Sequence, residues 1–227
     1  MSVDWSAIYA GPYHHPGLAF AFCVTLLLRL RLGFPASSLR LVLALLTIET
    51  GVDALLTGAL SPFGASPPTA LTIATVILGD LRLWWLVERF RRPGTTWTGA
   101  LARALPWAFV VPVLTAAAIL LRPDVFTDVG GYRLRPIFLT YEALFVALTA
   151  ALLVTRHASR AATPALGWYL TRLLLLWMCM YGLWVLCDVL LTAGSGWALG
   201  LRMVPNALYY GVFLYAATWL APEEAWA

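Results

Sequence analysis

The sequence predicts an all-α, polytopic membrane protein with seven transmembrane helices. Three observations predict it. Of the 227 residues, 61% are hydrophobic and the mean hydropathy is +0.81. Only 11% are charged, less than half the roughly 25% of a soluble globular domain. Apolar runs of about 20 residues, enough to cross a bilayer, recur between breaks of Gly, Pro and Ser. This composition excludes a soluble single-core protein, a disordered chain and a nucleic-acid binder working through basic patches.

Predicted helix 1 covers 17–34. The segment before it, opening Met1-Ser2-Val3-Asp4-Trp5, has no basic stretch of a secretory signal, so the first apolar run is expected to remain as a span. Helix 2 is expected over 38–60. The turn-forming stretch Ser61-Pro62-Phe63-Gly64-Ala65-Ser66-Pro67-Pro68 separates it from helix 3 over 67–90. Helix 4 is expected over 99–121 and helix 5 over 136–156. Between them, Asp124, Asp128, Gly130 and Gly131 read as a solvated turn, a short hairpin or a lid. Helix 6 is expected over 166–192, and Ala193-Gly194-Ser195-Gly196 breaks it from helix 7 over 201–221.

Orientation follows from arginine, which supplies all fifteen cationic side chains. Ten lie at one face: Arg29, Arg31, Arg40, Arg89, Arg91, Arg92, Arg103, Arg156, Arg160 and Arg172. Four lie at the other: Arg122, Arg133, Arg135 and Arg202. Cytoplasmic loops carry the positive excess, so the expected location is a plasma or inner membrane, N-terminus outside and C-terminus cytoplasmic. The cluster Arg89-Phe90-Arg91-Arg92 is also a candidate contact for a membrane-protein partner.

Two segments repeat. Asp53-Ala54-Leu55-Leu56-Thr57 matches Asp188-Val189-Leu190-Leu191-Thr192 at an offset of 135 residues, and Pro68-Thr69-Ala70-Leu71 matches Pro205-Asn206-Ala207-Leu208 at 137. Arg40 and Arg172 stand early in the two Asp-bearing helices. The match suggests a parallel duplication of a three-helix unit, helices 1–3 and 5–7, with helix 4 as linker. The single domain 1–227 then divides into units 1–92 and 126–227 joined by 93–125. On these features the chain resembles, in architecture, the seven-helix proteins built as three plus one plus three, a class that includes sugar and vitamin facilitators, opsins and heptahelical receptors.

Ionisable groups inside a membrane are expensive and commonly mark function. Here they are Glu49, Asp53, Asp80, Arg82, Glu142 and Asp188. Helical spacing groups Glu49 and Asp53 with Thr57 on one face. Trp177, Tyr181, Trp184 and Asp188 form an aromatic stripe ending in a carboxylate, and Asp80, Trp84 and Glu88 form another stripe. Asn206, Tyr209, Tyr210 and Phe213 share a side of helix 7. If these stripes converge, they enclose an acidic and aromatic pocket suited to a cation through charge pairing and cation–π attraction, or to a polar ring stacked on Trp. The expected ligand contacts are Glu49, Asp53, Asp80, Glu142, Asp188 and Asn206, with Arg82 as counter-ion or gate and Trp177, Tyr181, Trp184 and Tyr210 as walls. Packing, aromatic anchoring at the membrane interface and interhelical hydrogen bonding are the structural alternatives.

The expected function is binding or transport of a small polar or cationic ligand. A non-transporting sensor, receptor or complex subunit is the alternative. No cofactor is expected: without Lys there is no Schiff base for retinal or pyridoxal phosphate, and no His pair within a span would hold haem. No metal site is assigned, although His14 and His15, placed before helix 1, are candidate zinc ligands together with Asp53, Glu142 or Asp188. His157 falls in a loop. The three cysteines, Cys23, Cys179 and Cys187, give no disulfide framework. The spacing of Asp188, Gly194 and Trp197 is loosely similar to one half of a tandem lycopene-cyclase-type domain, which implies intramembrane acid–base chemistry on an isoprenoid-like lipid. That family's Pro-x-Glu-Glu acids have no Glu counterpart at Pro205-Asn206-Ala207-Leu208 or Pro68-Thr69-Ala70-Leu71. The expectation therefore leans against an enzyme, and no catalytic residue is assigned.

Overall fold

A computed structural model describes residues 3–64, 68–126, 135–155 and 160–227. Among these residues there are helices and no strand. Helix α1 (Trp5–Ala10) starts at Asp4, whose carboxylate accepts the Ser6 and Ala7 backbone N–H groups, both at 3.1 Å. The Ala7 N–H and the Ser6 hydroxyl hold that carboxyl below its ordinary pKa. A π-helical turn at Tyr13–Gly17 leads into α2 (Leu18–Gly33).

The long helices begin where side chains cap orphan N–H groups. Ser37 accepts from the Arg40 N–H to start α3 (Ser38–Thr57). Thr96 accepts from Gly99 to start α5 (Trp97–Leu121), and Thr163, followed by Pro164, accepts from Leu166 to start α7 (Pro164–Thr192). Helix α4 (Thr69–Phe90) follows Pro68, and α6 (Arg135–Val154) packs along α7. The Pro93-Gly94 turn, with Gly94 at φ +69°, reverses the chain between α4 and α5. The last predicted helix is not one rod. Pro205 sits inside α8 (Ala198–Ala207), a π-helical turn occupies Leu208–Val212, and α9 (Phe213–Trp219) and α10 (Glu223–Trp226) follow.

Among the described residues, five helical stretches are long and apolar enough to cross a membrane: Tyr13–Gly33, Ala70–Phe90, Trp97–Leu121, Arg135–Val154 and Pro164–Thr192. The surface agrees. On α3, Leu41, Leu45, Ile48, Val52 and Leu55 form an exposed apolar stripe; on α5, Leu105, Phe109 and Val113 do the same. Apolar surface on this scale is rare on a soluble monomer and is consistent with a membrane protein.

The bundle has two unlike halves. Toward the arginine-rich ends, the core is solid: Leu39 and Leu43 of α3, Trp84 and Val87 of α4, Phe145 of α6, Leu170 and Leu174 of α7 and Phe213 of α9 are all fully buried. Toward the N-terminal face the helices part around a cavity. Helix α1 packs on α8, where Gly200 lies against the Trp5 ring; a Cβ there would come within 2.6 Å of it. The loop expected to form a hairpin or lid is described only to Phe126, where Arg122 and Asp124 pair at 2.9 Å. Asp128, Gly130, Gly131, Arg133, Arg156 and His157 lie outside the described residues.

Candidate functional site

The cavity has a volume of about 590 Å³. It is walled by the C-terminal end of α3, the N-terminal turns of α4 and α6, the C-terminal half of α7, α8 and the π-helical turn after it. The segment before α2 closes one side. Of the expected ligand contacts, Asp53, Glu142, Tyr181, Trp184, Asn206 and Tyr210 line it. Glu49, Asp80, Arg82, Trp177 and Asp188 are not on its wall but lie behind it or beside it. The charged members of both groups are held in three clusters.

The first cluster is built on Arg82, which is 0% exposed. Its Nε donates to Glu49 Oε2 at 2.5 Å and its Nη2 to Glu49 Oε1 at 3.0 Å, with a longer contact of 3.4 Å to Asp53 Oδ2. The i, i+4 spacing of Glu49 and Asp53 is what lets one guanidinium meet both. Thr57, one turn further on, donates to Asp53 Oδ1 at 3.2 Å. The guanidinium also lies 4.8 Å from the Tyr209 ring centre, a desolvated cation–π contact. Arg82 is therefore a counter-ion held behind the wall rather than a group in the cavity.

The second cluster corrects the view of one deep arginine facing five acids. Arg202 and Arg135, expected at the water-facing ends of their helices, turn inward. Arg202 donates through Nη1 to Asp188 Oδ1 and through Nη2 to Glu142 Oε1 at 3.4 Å. Arg135 donates to the same Asp188 oxygen at 2.8 Å. Removing one partner of such a buried pair typically costs about 3–5 kcal/mol, so these contacts fix α6, α7 and α8 to one another. Asp188 is the anchor of the cluster; its wall-facing members are Glu142 and Arg202.

The third cluster holds Asp80, also 0% exposed, by two tyrosine hydroxyls. Tyr141 donates to Oδ2 and Tyr181 to Oδ1. Both tyrosines present their rings to the cavity. Trp177, fully buried, packs edge-on to Phe213 with ring centres 4.3 Å apart and belongs to the core below. Trp84 likewise stacks between Trp107 and Phe145, and Glu88 pairs at 2.8 Å with Arg91, far from the cavity.

The chain before α2 supplies groups that periodicity did not point to. His14 is only 6% exposed and lies inside the bundle rather than ahead of it. Its Nδ1 meets the Tyr9 carbonyl at 3.1 Å and its Nε2 meets Asn206 Nδ2 at 3.3 Å. That pattern fits a ring with its proton on Nδ1. Asn206 accepts from Trp184 Nε1 at 2.9 Å, and the Tyr9 hydroxyl accepts from Arg202 Nε at 3.2 Å. His15 meets Thr57 Oγ1 at 3.3 Å and packs on Tyr210, ring centres 4.5 Å apart. The two imidazoles are thus engaged by Asn206, Tyr9 and Thr57. No three His, Cys, Asp or Glu among the described residues are arranged to hold a metal ion.

Two polar atoms of lining residues, Glu142 Oε2 and the Tyr209 hydroxyl, are buried and make no hydrogen bond; the hydroxyl is seated against Gly79 of α4, where a Cβ would fall 1.4 Å from it. Native interiors leave few such groups unpaired. The cavity lining nonetheless brings the acids Asp53 and Glu142 together with the aromatic rings of Tyr141, Tyr181, Trp184 and Tyr210. No protein-family model, curated protein or solved structure matches this chain, so the chemistry of the cavity has to be read from its own side chains.

Proposed function

We propose that this chain is an integral membrane protein that binds a small polar or cationic ligand in the cavity between α3, α4, α6, α7 and α8, entered from the face that carries the N-terminus. The observation that carries the reading is the lining itself, in which Asp53 and Glu142 stand among the rings of Tyr141, Tyr181, Trp184 and Tyr210. A ligand with an N–H or O–H donor or a positive charge suits a lining that carries two acids. Aromatic faces around them favour a cationic centre or a flat ring. The volume accommodates a molecule of modest size.

Seven spans complete the picture. Helix α3 has the length to cross but carries Arg40, Glu49 and Asp53, and the last two turn inward to Arg82. Helices α8 and α9, continuous through the π-helical turn, supply the seventh. The arginine asymmetry supports an outside N-terminus. The likeness of the Asp53 and Asp188 segments supports a duplicated unit in which each Asp is bound by an arginine of the following helix, Arg82 and Arg202 respectively. The apolar plug of Trp84, Phe145 and Leu170 below the cavity favours one-sided binding, as in a sensor or in one state of a transporter, over an open pore.

The reading is tested by thermal unfolding of the detergent-solubilised protein with choline, a linear diamine and a neutral hexose as probes. The expected result is a rise in Tm with at least one of them, lost in Glu142→Gln. Uptake of that probe into proteoliposomes then separates transport from binding. A Tm indifferent to all three, or a response that survives Glu142→Gln, overturns the proposal.

A further inference from the structure

At the opposite, arginine-rich end of the bundle lies a second depression of about 500 Å³. The end of α4, the first turns of α5 and the residue stretch leading into α7 meet there. Four arginines line it: Arg91, Arg92, Arg103 and Arg160. Among the described residues, the one acid on its lining is Glu88, which is fully buried. Arg91 Nη2 donates to both Glu88 oxygens, at 2.8 and 3.0 Å, and Arg103 Nε stands 3.5 Å from Oε2. One carboxylate thus pairs with two of the guanidiniums, and the described lining residues carry a surplus of three positive charges.

Membrane proteins gather arginine on one face for reasons of insertion alone, but those arginines need only reach water. Here one does not. The Arg91 side chain, which lines the depression, is 8% exposed, and its Nε is buried with no hydrogen-bond partner. Burying a guanidinium N–H without an acceptor is costly. An anion of several oxygens, presented to a cluster of rigid donors, supplies acceptors for the guanidinium forks and the missing negative charge. Glu88 lies near the C-terminal end of the apolar stretch Ala70–Phe90, a depth at which the phosphates of a bilayer leaflet run.

We propose that Arg91, Arg92, Arg103 and Arg160 form an anion site for a phosphate group, with Glu88 pre-setting Arg91 and Arg103. The phosphate is carried either by an anionic lipid headgroup or by a soluble phosphorylated molecule; the chemistry of recognition is common to both. The site is independent of the cavity at the other end of the bundle.

The test uses the full chain purified in neutral detergent. Thermal unfolding is followed while phosphatidylglycerol, phosphatidylcholine or inorganic pyrophosphate is titrated in. Phosphatidylglycerol raising Tm where phosphatidylcholine does not assigns the site to lipid; pyrophosphate alone raising it assigns the site to a soluble phosphate. In Arg92→Gln/Arg160→Gln, which alters only exposed side chains and leaves the Glu88 pairs intact, the apparent affinity falls by at least about tenfold, at roughly one unit charge lost per arginine. Arg172→Gln, an exposed arginine of α7 outside the depression, leaves it unchanged. No response to either anion, or an equal loss in Arg172→Gln, overturns the proposal.

Discussion

Arg202 of α8 donates to Asp188 of α7 across fourteen residues of chain, and the turn between the two helices is thereby closed by a buried charge pair. The same guanidinium reaches Glu142 of α6 and the Tyr9 hydroxyl ahead of the π-helical turn. One side chain, 11% exposed, therefore links α6, α7, α8 and the N-terminal segment at the mouth of the cavity.

Arg202→Gln is expected to destabilise the fold by about 3–5 kcal/mol, the usual cost of stranding a buried charge. It takes from Glu142 the guanidinium it hydrogen-bonds, while Asp188 keeps Arg135. Adding Glu142→Gln to the same chain is expected to restore part of the loss, because the stranded charge is then gone. Denaturation midpoints of the two single variants and the double variant measure the coupling. Additive losses would show that the two side chains do not act on each other.

Tyr209→Phe is expected to separate folding from binding. The hydroxyl is buried without a partner, so its removal costs the fold nothing and is expected to stabilise it by up to about 1–3 kcal/mol, the penalty of an unpaired buried polar group. The ring keeps its place over Arg82. The hydroxyl is sealed against Gly79 of α4, so a ligand in the cavity binds as before. A Tm that rises in the unliganded variant, together with an unchanged ligand-induced shift, is the expected pair of results. A marked fall in the unliganded Tm would show that the hydroxyl has a structural partner.

How much of this was legible in the sequence depends on which signal carried it. The apolar runs and their breaks gave the helices: 38–60 against Ser38–Thr57, 99–121 against Trp97–Leu121, 166–192 against Pro164–Thr192. Ser37, Thr96 and Thr163 set those starts through their caps. The i, i+4 pair Glu49 and Asp53 and the stripe through Tyr181 and Trp184 were readable because helical spacing fixes which side chains share a face. Depth within that face was not. Tyr181 and Trp184 reach the cavity while Trp177, one turn below, is sealed in the core, and nothing local marks where the helices part.

Arg135 and Arg202 were misplaced because hydropathy assigns an arginine at a helix end to water. Whether it turns inward depends on acids of other helices, here Asp188 and Glu142, which lie 53 and 60 residues away from Arg135 and Arg202 respectively. Tyr9 escaped notice, and His14 and His15 were placed ahead of the bundle as candidate zinc ligands rather than within it, for a related reason. They precede the first apolar run, and only the π-helical turn at Tyr13–Gly17 folds them back against Asn206 and Thr57.

The two hydroxyls on Asp80 are expected to be coupled to its carboxylate. Tyr141→Phe lowers stability by about 1.5–3 kcal/mol if it removes a hydrogen bond to an ionised group. In an Asp80→Asn background the same change costs less than about 1.5 kcal/mol, the ordinary value for a neutral pair. Unfolding midpoints of the four chains, wild type, each single variant and the double, decide it. Equal costs in both backgrounds would mean that Asp80 is held as a neutral acid.

Topology is checked with single cysteines. Cys23 and Cys187 are buried, and Cys179 lies on the exposed face of α7; all three are first replaced by Ala. Phe63→Cys then puts a thiol in an exposed turn on the cavity side, and Thr98→Cys puts one at an exposed position near the start of α5, at the arginine-rich end. With the N-terminus outside, a membrane-impermeant maleimide added to intact cells labels Phe63→Cys at once and Thr98→Cys only after permeabilisation. The reverse pattern would put the cavity mouth on the cytoplasmic side. The four arginines of the second depression would then face outward, against the charge asymmetry that governs insertion, and a ligand for the cavity would have to be sought among molecules inside the cell.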